Sequence, residues 1–403
     1  GYGWLPNRAI MFNTAMRSWG HLHLYDLADL RLAAMQAGFL LIHQQPVGES
    51  PCQQLRGLEH RSDSVVVECN KLDPRRAKRI SLPLVSVLIP AYNHAYLGKA
   101  IASVLQQTYP AIEIVVVDDN PESPIRDVVH QFRRRANIRY VAHPENRGAV
   151  ENYKTCLAQA TGEYVKYLND DDLLMPTAIE TMVRMMEAFA GQVTLVTSKR
   201  VLIDESDAPL PDSDATLPLV PCDALIDGIS AGNFMLRHTV NLIGEQTTTL
   251  FRRSDYQQTP ALAFNGRDYR YNVDMAMWLE LLRRGHLIYL SQPLSCLRMH
   301  AAQEQQNPVH RVPLVMNWHD LIGDGLDRGY LHDPQFLLTA RRSQLMLYEE
   351  LQHCDVSEVR GRLEEQLAEI QEQIRTAQTH LPAALQLPSL HQELAQIHTG
   401  CTW

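Results

Sequence analysis

The chain has 403 residues, 37 Lys and Arg against 46 Asp and Glu, and a formal charge of -9. At 45% hydrophobic and 21% charged residues it has ordinary globular composition, which excludes wholesale disorder and collagen-like repeats. The acidic balance lacks the electrostatic footprint of a general nucleic-acid binder, so no nucleic-acid partner is expected. No apolar run approaches the roughly 20 residues of a membrane span. The seven cysteines form no CxxC pair, which fits a reducing compartment better than a disulfide framework. No N-terminal signal peptide is legible, and Gly1 in place of Met suits an excerpt or a processed chain. A cytoplasmic protein is expected, with a peripheral place at the inner membrane as the alternative.

Residues 1–72 form a first unit. "LYDLADLRLAAMQAGF" predicts an amphipathic helix, with Leu27, Leu30, Leu32 and Met35 at apolar positions and Gly38 as its C-cap. "FLLIHQQPVG" and "SDSVVVECNKL" predict strands. One helix and two strands bury too little surface to stand alone. Residues 73–82, polar and basic, read as a linker.

From Pro83 the pattern becomes strand, helix, strand. "LVSVLIPAY", "IEIVVVDD", "IRYVAH", "EYVKYLNDDD" and "VTLVTSKRVLI" predict five strands, and the helices between them predict crossovers. Apolar strands alternating with helices argue for an α/β fold with a mostly parallel sheet over 83–205. Residues 206–245 are rich in Pro and Asp and read as loop. "TTTLFRR" predicts a strand, "VDMAMWLELLRRG" a helix, and "HLIYLSQPLSCLRMH" one or two closing strands. A domain over 83–325 results, with halves 83–205 and 206–325, followed by a helical tail over 326–403. In that tail Val356, Val359, Leu363, Leu367, Ile370, Ile374 and Ala377 step by three and four. This seam suits a helical hairpin packed on the domain, or a dimer formed through the C-terminal helices.

The chemistry concentrates at strand ends. Asp170, Asp171 and Asp172 close an apolar strand, where open α/β sheets place ligand crevices. Three adjacent carboxylates repel one another unless a cation neutralises them. Hard divalent cations prefer oxygen ligands and share them with phosphates. A helix N-terminus explains one such Asp, but not readily three. Asp118 and Asp119 close "EIVVVDD", and can serve a nucleoside or simply cap a turn. Pro90, Ala91, Tyr92 and Asn93 form the exit of the first strand. Arg147 stands beside Gly148, and its planar fork suits phosphate.

Over roughly ninety residues, "VSVLIPAYN…IEIVVVDDN…NRGAVEN…GEYVKYLNDDDLLMP" resembles the donor-binding half of family-2 glycosyltransferases, of GT-A fold. The resemblance implies a nucleoside-diphosphate sugar, most often UDP-linked, a divalent cation (Mn²⁺ or Mg²⁺) and inversion at the anomeric carbon. It places Pro90, Ala91, Tyr92, Asn93, Asp118, Asp119, Arg147 and Asp170 around the nucleotide sugar. Asp171 is the preferred metal ligand, with Asp172 and His300 beside it. Asn169 stands where the family's motif has Asp, which leaves open which carboxylate meets the metal. Asp274 matches the family's general base, with Val273 in place of the preceding Glu. Glu245, Gln246 and Thr247 fall on the acceptor side. The acceptor is a glycan, a lipid-linked saccharide or a protein. A non-catalytic nucleotide-sugar-binding module is the alternative, favoured by Asn169 and Val273. A nucleotidyltransferase would need a Gly-rich basic triphosphate loop, which is not seen. Residues 1–72, with "LRGLE" at 55–59, resemble the end of a class I S-adenosylmethionine-dependent methyltransferase. The cofactor loop of such a domain is absent, so no S-adenosylmethionine binding is expected from this stretch alone.

Overall fold

The computed structural model describes residues 39–45, 66–71 and 82–380, apart from 136, 214–215, 217–218, 221, 257–261, 301–309, 352–353 and 355. Contacts divide the chain into two units, 1–82 with 184–190, and 83–183 with 191–403. Of the first 72 residues the structure describes two strands, β1 (Phe39–Gln45) and β2 (Val66–Lys71), paired antiparallel. Both were expected. The expected helix, the 55–59 stretch and residues 73–81 of the linker lie outside the described residues.

The second unit is built on a nine-stranded sheet. Strand β3 (Val85–Ala91) is buried at every position. It pairs in parallel with β4 (Ile112–Asp118) on one side and β6 (Tyr164–Tyr167) on the other, and β4 pairs in parallel with β5 (Ile138–Ala142). Helices α1 (His94–Leu105), α2 (Ile125–Phe132) and α3 (Ala149–Gln159) make the crossovers. Helix α1 starts where Asn93 caps it, its side chain accepting the Ala95 N–H at 3.0 Å. The register sets Ala91 opposite Asp118, so the carboxyl ends of the central strands finish level. The expected parallel α/β arrangement is therefore present.

Beyond β6 the sheet becomes mixed. Short β7 (Leu173–Leu174) and helix α4 (Ala178–Ala188) lead to β8 (Val193–Ile203). Then come β9 (Ala224–Ile226), helix α5 (Gly228–His238) and a 3-10 turn, Gln246–Thr248. Strand β10 (Leu250–Arg252) inserts antiparallel between β6 and β8. A small hairpin, β11 (Ala263–Phe264) with β12 (Arg267–Asp268), precedes helix α6 (Val273–Leu282). The closing strand is single and 13 residues long, β13 (His286–Arg298). It runs parallel to β8 and pairs antiparallel with β7 at Cys296–Leu173, which brings the segment after β13 beside Asp170–Asp172. One core joins the inner strands to α6, including Leu88, Val117, Tyr167, Leu195, Phe251 and Trp278.

The C-terminal helices are α7 (Arg311–Asp327), α8 (Pro334–Glu350) and α9 (Arg360–His380). The expected boundary at 325/326 falls inside α7. The apolar seam of α9 is filled from within the chain. Ile370 is fully buried in a cluster with Val312, Val315, Met316, Tyr348 and Leu351, and Leu363, Leu367 and Ile374 pack against it. The seam is thus used by intrachain helix packing, the first of the two expectations.

Candidate functional site

The level strand ends gather the acidic residues, and backbone donors hold them there. Asp118 closes β4 and is buried. Its Oδ1 accepts the Asn120 N–H at 2.9 Å, and the Tyr140 hydroxyl donates to Oδ2. Asp119 accepts the Arg147 N–H on one oxygen and the Gly148 N–H on the other, each at 2.8 Å. Gly148 sits at φ +86°, which a side chain tolerates poorly. Asp119 thereby fixes the loop that carries the exposed Arg147.

Asp170 follows β6. A single oxygen, Oδ2, accepts the N–H groups of Tyr92 and Asn93, both at 2.7 Å. This ties the end of β6 to the exit of β3. Burial pushes the Asp170 carboxyl up to about 7, against the pull of those two donors. The Tyr92 ring is 54% exposed at the rim, open to a stacking partner. Asn169 accepts a bond from the Tyr153 hydroxyl.

Asp171 and His300 face each other, with Oδ2 and Nε2 3.0 Å apart. Asp172 turns the other way. It is fully buried, and its oxygens accept the Thr247 hydroxyl at 2.7 Å and the Arg298 N–H at 3.0 Å. Burial and the nearby charges of Asp171 and Glu245 hold its carboxyl well above the usual carboxylate range. Arg298 braces this turn, donating from Nε to the Asp171 carbonyl at 2.8 Å and pairing with Asp207 at 2.6 Å. Its guanidinium lies over the Tyr96 ring at 4.4 Å.

Against Asp172 lies the segment expected on the acceptor side. Lys166, fully buried in β6, donates to the carbonyls of Thr247 and Thr249 and so clamps the 245–249 segment to the sheet. Burial lowers its pKa to about 7. Thr247 accepts the Asn169 N–H at 3.0 Å, and Gln246 is buried in the 3-10 turn. Glu245 pairs with Arg200 at 3.0 Å. Its charge acts on both Asp172 and Asp274. Asp274, in the first turn of α6, is raised to about 6, chiefly by burial. Its oxygens accept the Met275 N–H at 2.8 Å and the Asn241 amide at 2.6 Å.

The structure therefore brings Tyr92, Asn93 and Asp170 into one constellation, Asp171 with His300 into a second, and Glu245, Thr247 and Asp274 around a shared segment. Asp172 lies behind the opening, while Asp118 and Asp119 each hold neighbouring backbone or side-chain groups. Among the described residues, no three His, Cys, Asp or Glu side chains form a ready cation site. Sequence reasoning missed Lys166, Arg298 and Asn241. A lone Lys inside an apolar strand was a signal for the first. The second stands two residues before His300.

Residues 86–257 match the family model described as "Glycosyl transferase family 2". A glycosyltransferase of Rickettsia felis is 36% identical over 143 residues, 35% of this chain and 24% of its own length. A glycosyltransferase of Haemophilus influenzae is 25% identical over 223 residues, 55% of this chain and 67% of the relative. The chain thus spans about a quarter of the first relative and two thirds of the second. Among solved structures, TarS of S. aureus in complex with UDP-GlcNAc aligns at TM-score 0.44 and 15% identity, covering 73% of this chain and 90% of that one. The comparisons give no support to the methyltransferase resemblance of residues 1–72. The comparisons thus make residues 86–257 similar to family-2 glycosyltransferases, on an α/β fold whose mostly parallel sheet is flanked by helices.

Proposed function

We propose that this domain transfers a sugar from a nucleoside-diphosphate sugar, UDP-linked, to an acceptor hydroxyl with inversion, using Asp274 as general base. The observation that carries the reading is that two carboxylates of the candidate set stand in unlike surroundings. Asp171 is partly exposed beside His300, and Asp274 is half-buried with its carboxyl raised to about 6. A carboxyl tuned toward neutrality suits a base that must take a hydroxyl proton near pH 7.

The Asp171–His300 pair fits a divalent cation. It offers one oxygen and one nitrogen, and a cation of this kind completes its shell with water and substrate phosphate rather than an all-protein cage. Such a cation, when bound, offsets the charge that grows on the leaving diphosphate. The chain's own groups do the rest. Tyr92 offers a face to the nucleobase, and Asp170 pins the β3 exit on which that ring stands. Asp119 sets the loop of Arg147 toward the donor's phosphates. Asp274 takes the acceptor proton on the face opposite the leaving group. The acceptor class stays a glycan, a lipid-linked saccharide or a protein.

Two variants test this. Asp274→Asn is expected to bind UDP-sugar as the wild type does, while transfer and leakage of sugar to water fall about 10²–10⁴-fold. Asp171→Ala is expected to abolish the Mn²⁺-dependent part of UDP-sugar binding in calorimetry. Wild-type turnover by the first variant, or unchanged Mn²⁺ dependence in the second, sinks the corresponding assignment.

A further inference from the structure

The Asp274 carboxylate is held by a residue that no motif singles out. Asn241 lies in the turn after α5 and donates from Nδ2 to Asp274 Oδ2 at 2.6 Å. Its amide cannot be turned round. Asn241 Oδ1 accepts the N–H of Gly244 at 3.0 Å and of Ile243 at 3.2 Å, so the nitrogen is left facing Asp274. The second amide hydrogen reaches the Gly244 carbonyl at 3.1 Å. That same carbonyl accepts the indole N–H of Trp278, one turn along α6 from Asp274, at 3.0 Å. Gly244 itself sits at φ +99°, and a Cβ there would lie 2.8 Å from the Arg200 guanidinium. Turn 241–244 and helix α6 are thus locked together, and the lock ends on the carboxylate.

We infer that Asn241 is a positioning residue for the general base: it fixes the rotamer of Asp274 and stabilises its charged form, leaving the carboxylate's remaining lone pairs for the acceptor hydroxyl. The inference rests on reading Asp274 as the base. The groups around Asp274 pull in opposite senses. Glu245, from the segment before β10, disfavours its ionisation, and Arg200 of β8 neutralises Glu245 in part. Asp172 and Lys166 of β6 also lie within Glu245's field. The N–H groups of Met275 and Asn241 favour the anion. Among the described residues, Asn241 supplies the side-chain hydrogen bond in that balance.

The test uses the full chain with UDP-sugar and Mn²⁺, following kcat/KM of transfer or donor hydrolysis against pH, together with a ¹³C-carboxyl NMR titration of Asp274. Asn241→Asp keeps an oxygen to accept from Ile243 and Gly244, and replaces the donor by a second carboxylate oxygen that adds negative charge beside Asp274. Asn241→Ala removes acceptor and donor alike. In either variant the acid limb is expected to move up by about half to one pH unit, further in the Asp variant, with the carboxyl titration following it and KM for donor unchanged. In an Asp274→Asn background neither change should lower the residual rate further. If both variants lose rate equally at every pH, or leave the limb and the carboxyl titration where they are, Asn241 does not position the base. If Asp274→Asn turns over like the wild type, the base assignment itself fails, and the role inferred for Asn241 fails with it. Asp274→Asn separates these failures, because it is inactive in the first case and active in the second.

Discussion

At the residue scale, the acidic positions are where stability and chemistry oppose each other. Asp274 has its carboxyl raised from 3.8 to about 6 by burial, so the folded state binds its proton more tightly than the unfolded state does. The sign follows from linkage. The protonated form is favoured on folding, and that contribution is complete below about pH 4 and lost as pH rises through about 6. At pH 7.5 the half-buried charge is therefore a cost, about 1–2 kcal/mol once its partial exposure is allowed for. Asp274→Asn should melt several degrees higher than wild type at pH 7.5 and within error of it at pH 4. Melting curves at the two pH values decide the point, and a difference of equal size at both would mean that burial of charge is not the cause. The candidates at this scale were legible because carboxylates after apolar strands are conspicuous. Their roles were less so. Asp170, Asp171 and Asp172 are consecutive, yet they face three different partners, the Tyr92–Asn93 backbone, His300 and Thr247. The direction in which each side chain leaves a turn is set by partners far along the chain, and spacing alone does not carry it.

At the element scale, the parallel strands declared themselves because strands covered on both faces are continuously apolar. Strand β10 was foreseen, but not its direction, since an antiparallel insertion between β6 and β8 leaves no local mark. Strands of two or three residues, β7, β9, β11 and β12, are too short to show any period. Helix α5 was hidden for a different reason. Its sequence, GISAGNFMLRH, carries two glycines, which lower helix propensity. Both are there for close approach. A Cβ on Gly228 would lie 2.1 Å from the Leu282 carbonyl and 2.0 Å from that of Gly285, and one on Gly232 would lie 2.2 Å from the Tyr330 ring. Packing against the end of α6 overrides the propensity. Gly228→Ala should gain the usual helix advantage of Ala, about 1 kcal/mol, and lose more than that to overlap with backbone that has nowhere to go. A net destabilisation of about 1–3 kcal/mol is expected in urea unfolding. A variant as stable as the wild type would show that α5 and α6 are less tightly apposed than these distances imply.

At the scale of the whole molecule, the apolar core is divided. The main cluster joins the sheet to α6, whereas a separate one is made by α7, α8 and α9 around Ile370. The α9 seam was legible as a pattern, but a three-and-four repeat does not say whether its partner is the same chain or another. The structure answers by burying Ile370 against Val312, Val315, Met316, Tyr348 and Leu351. Polar groups reinforce the same packing. Tyr348 donates to Gln366 at 2.6 Å, and Arg341, itself buried, donates to Gln373 at 2.6 Å. None of the groups proposed for donor binding or proton transfer belongs to this second cluster. Removing a buried Ile side chain typically costs about 2–5 kcal/mol, depending on how far the site collapses. Because α9 packs through this one seam, that loss should be felt there first. Ile370→Ala is therefore expected to release amide-exchange protection in α9 and the facing turns of α8, while β3, β4, β6 and α6 keep theirs and UDP-sugar affinity stays within about twofold. Loss of protection throughout the sheet, or a matching fall in donor affinity, would mean that the two clusters unfold as one cooperative unit.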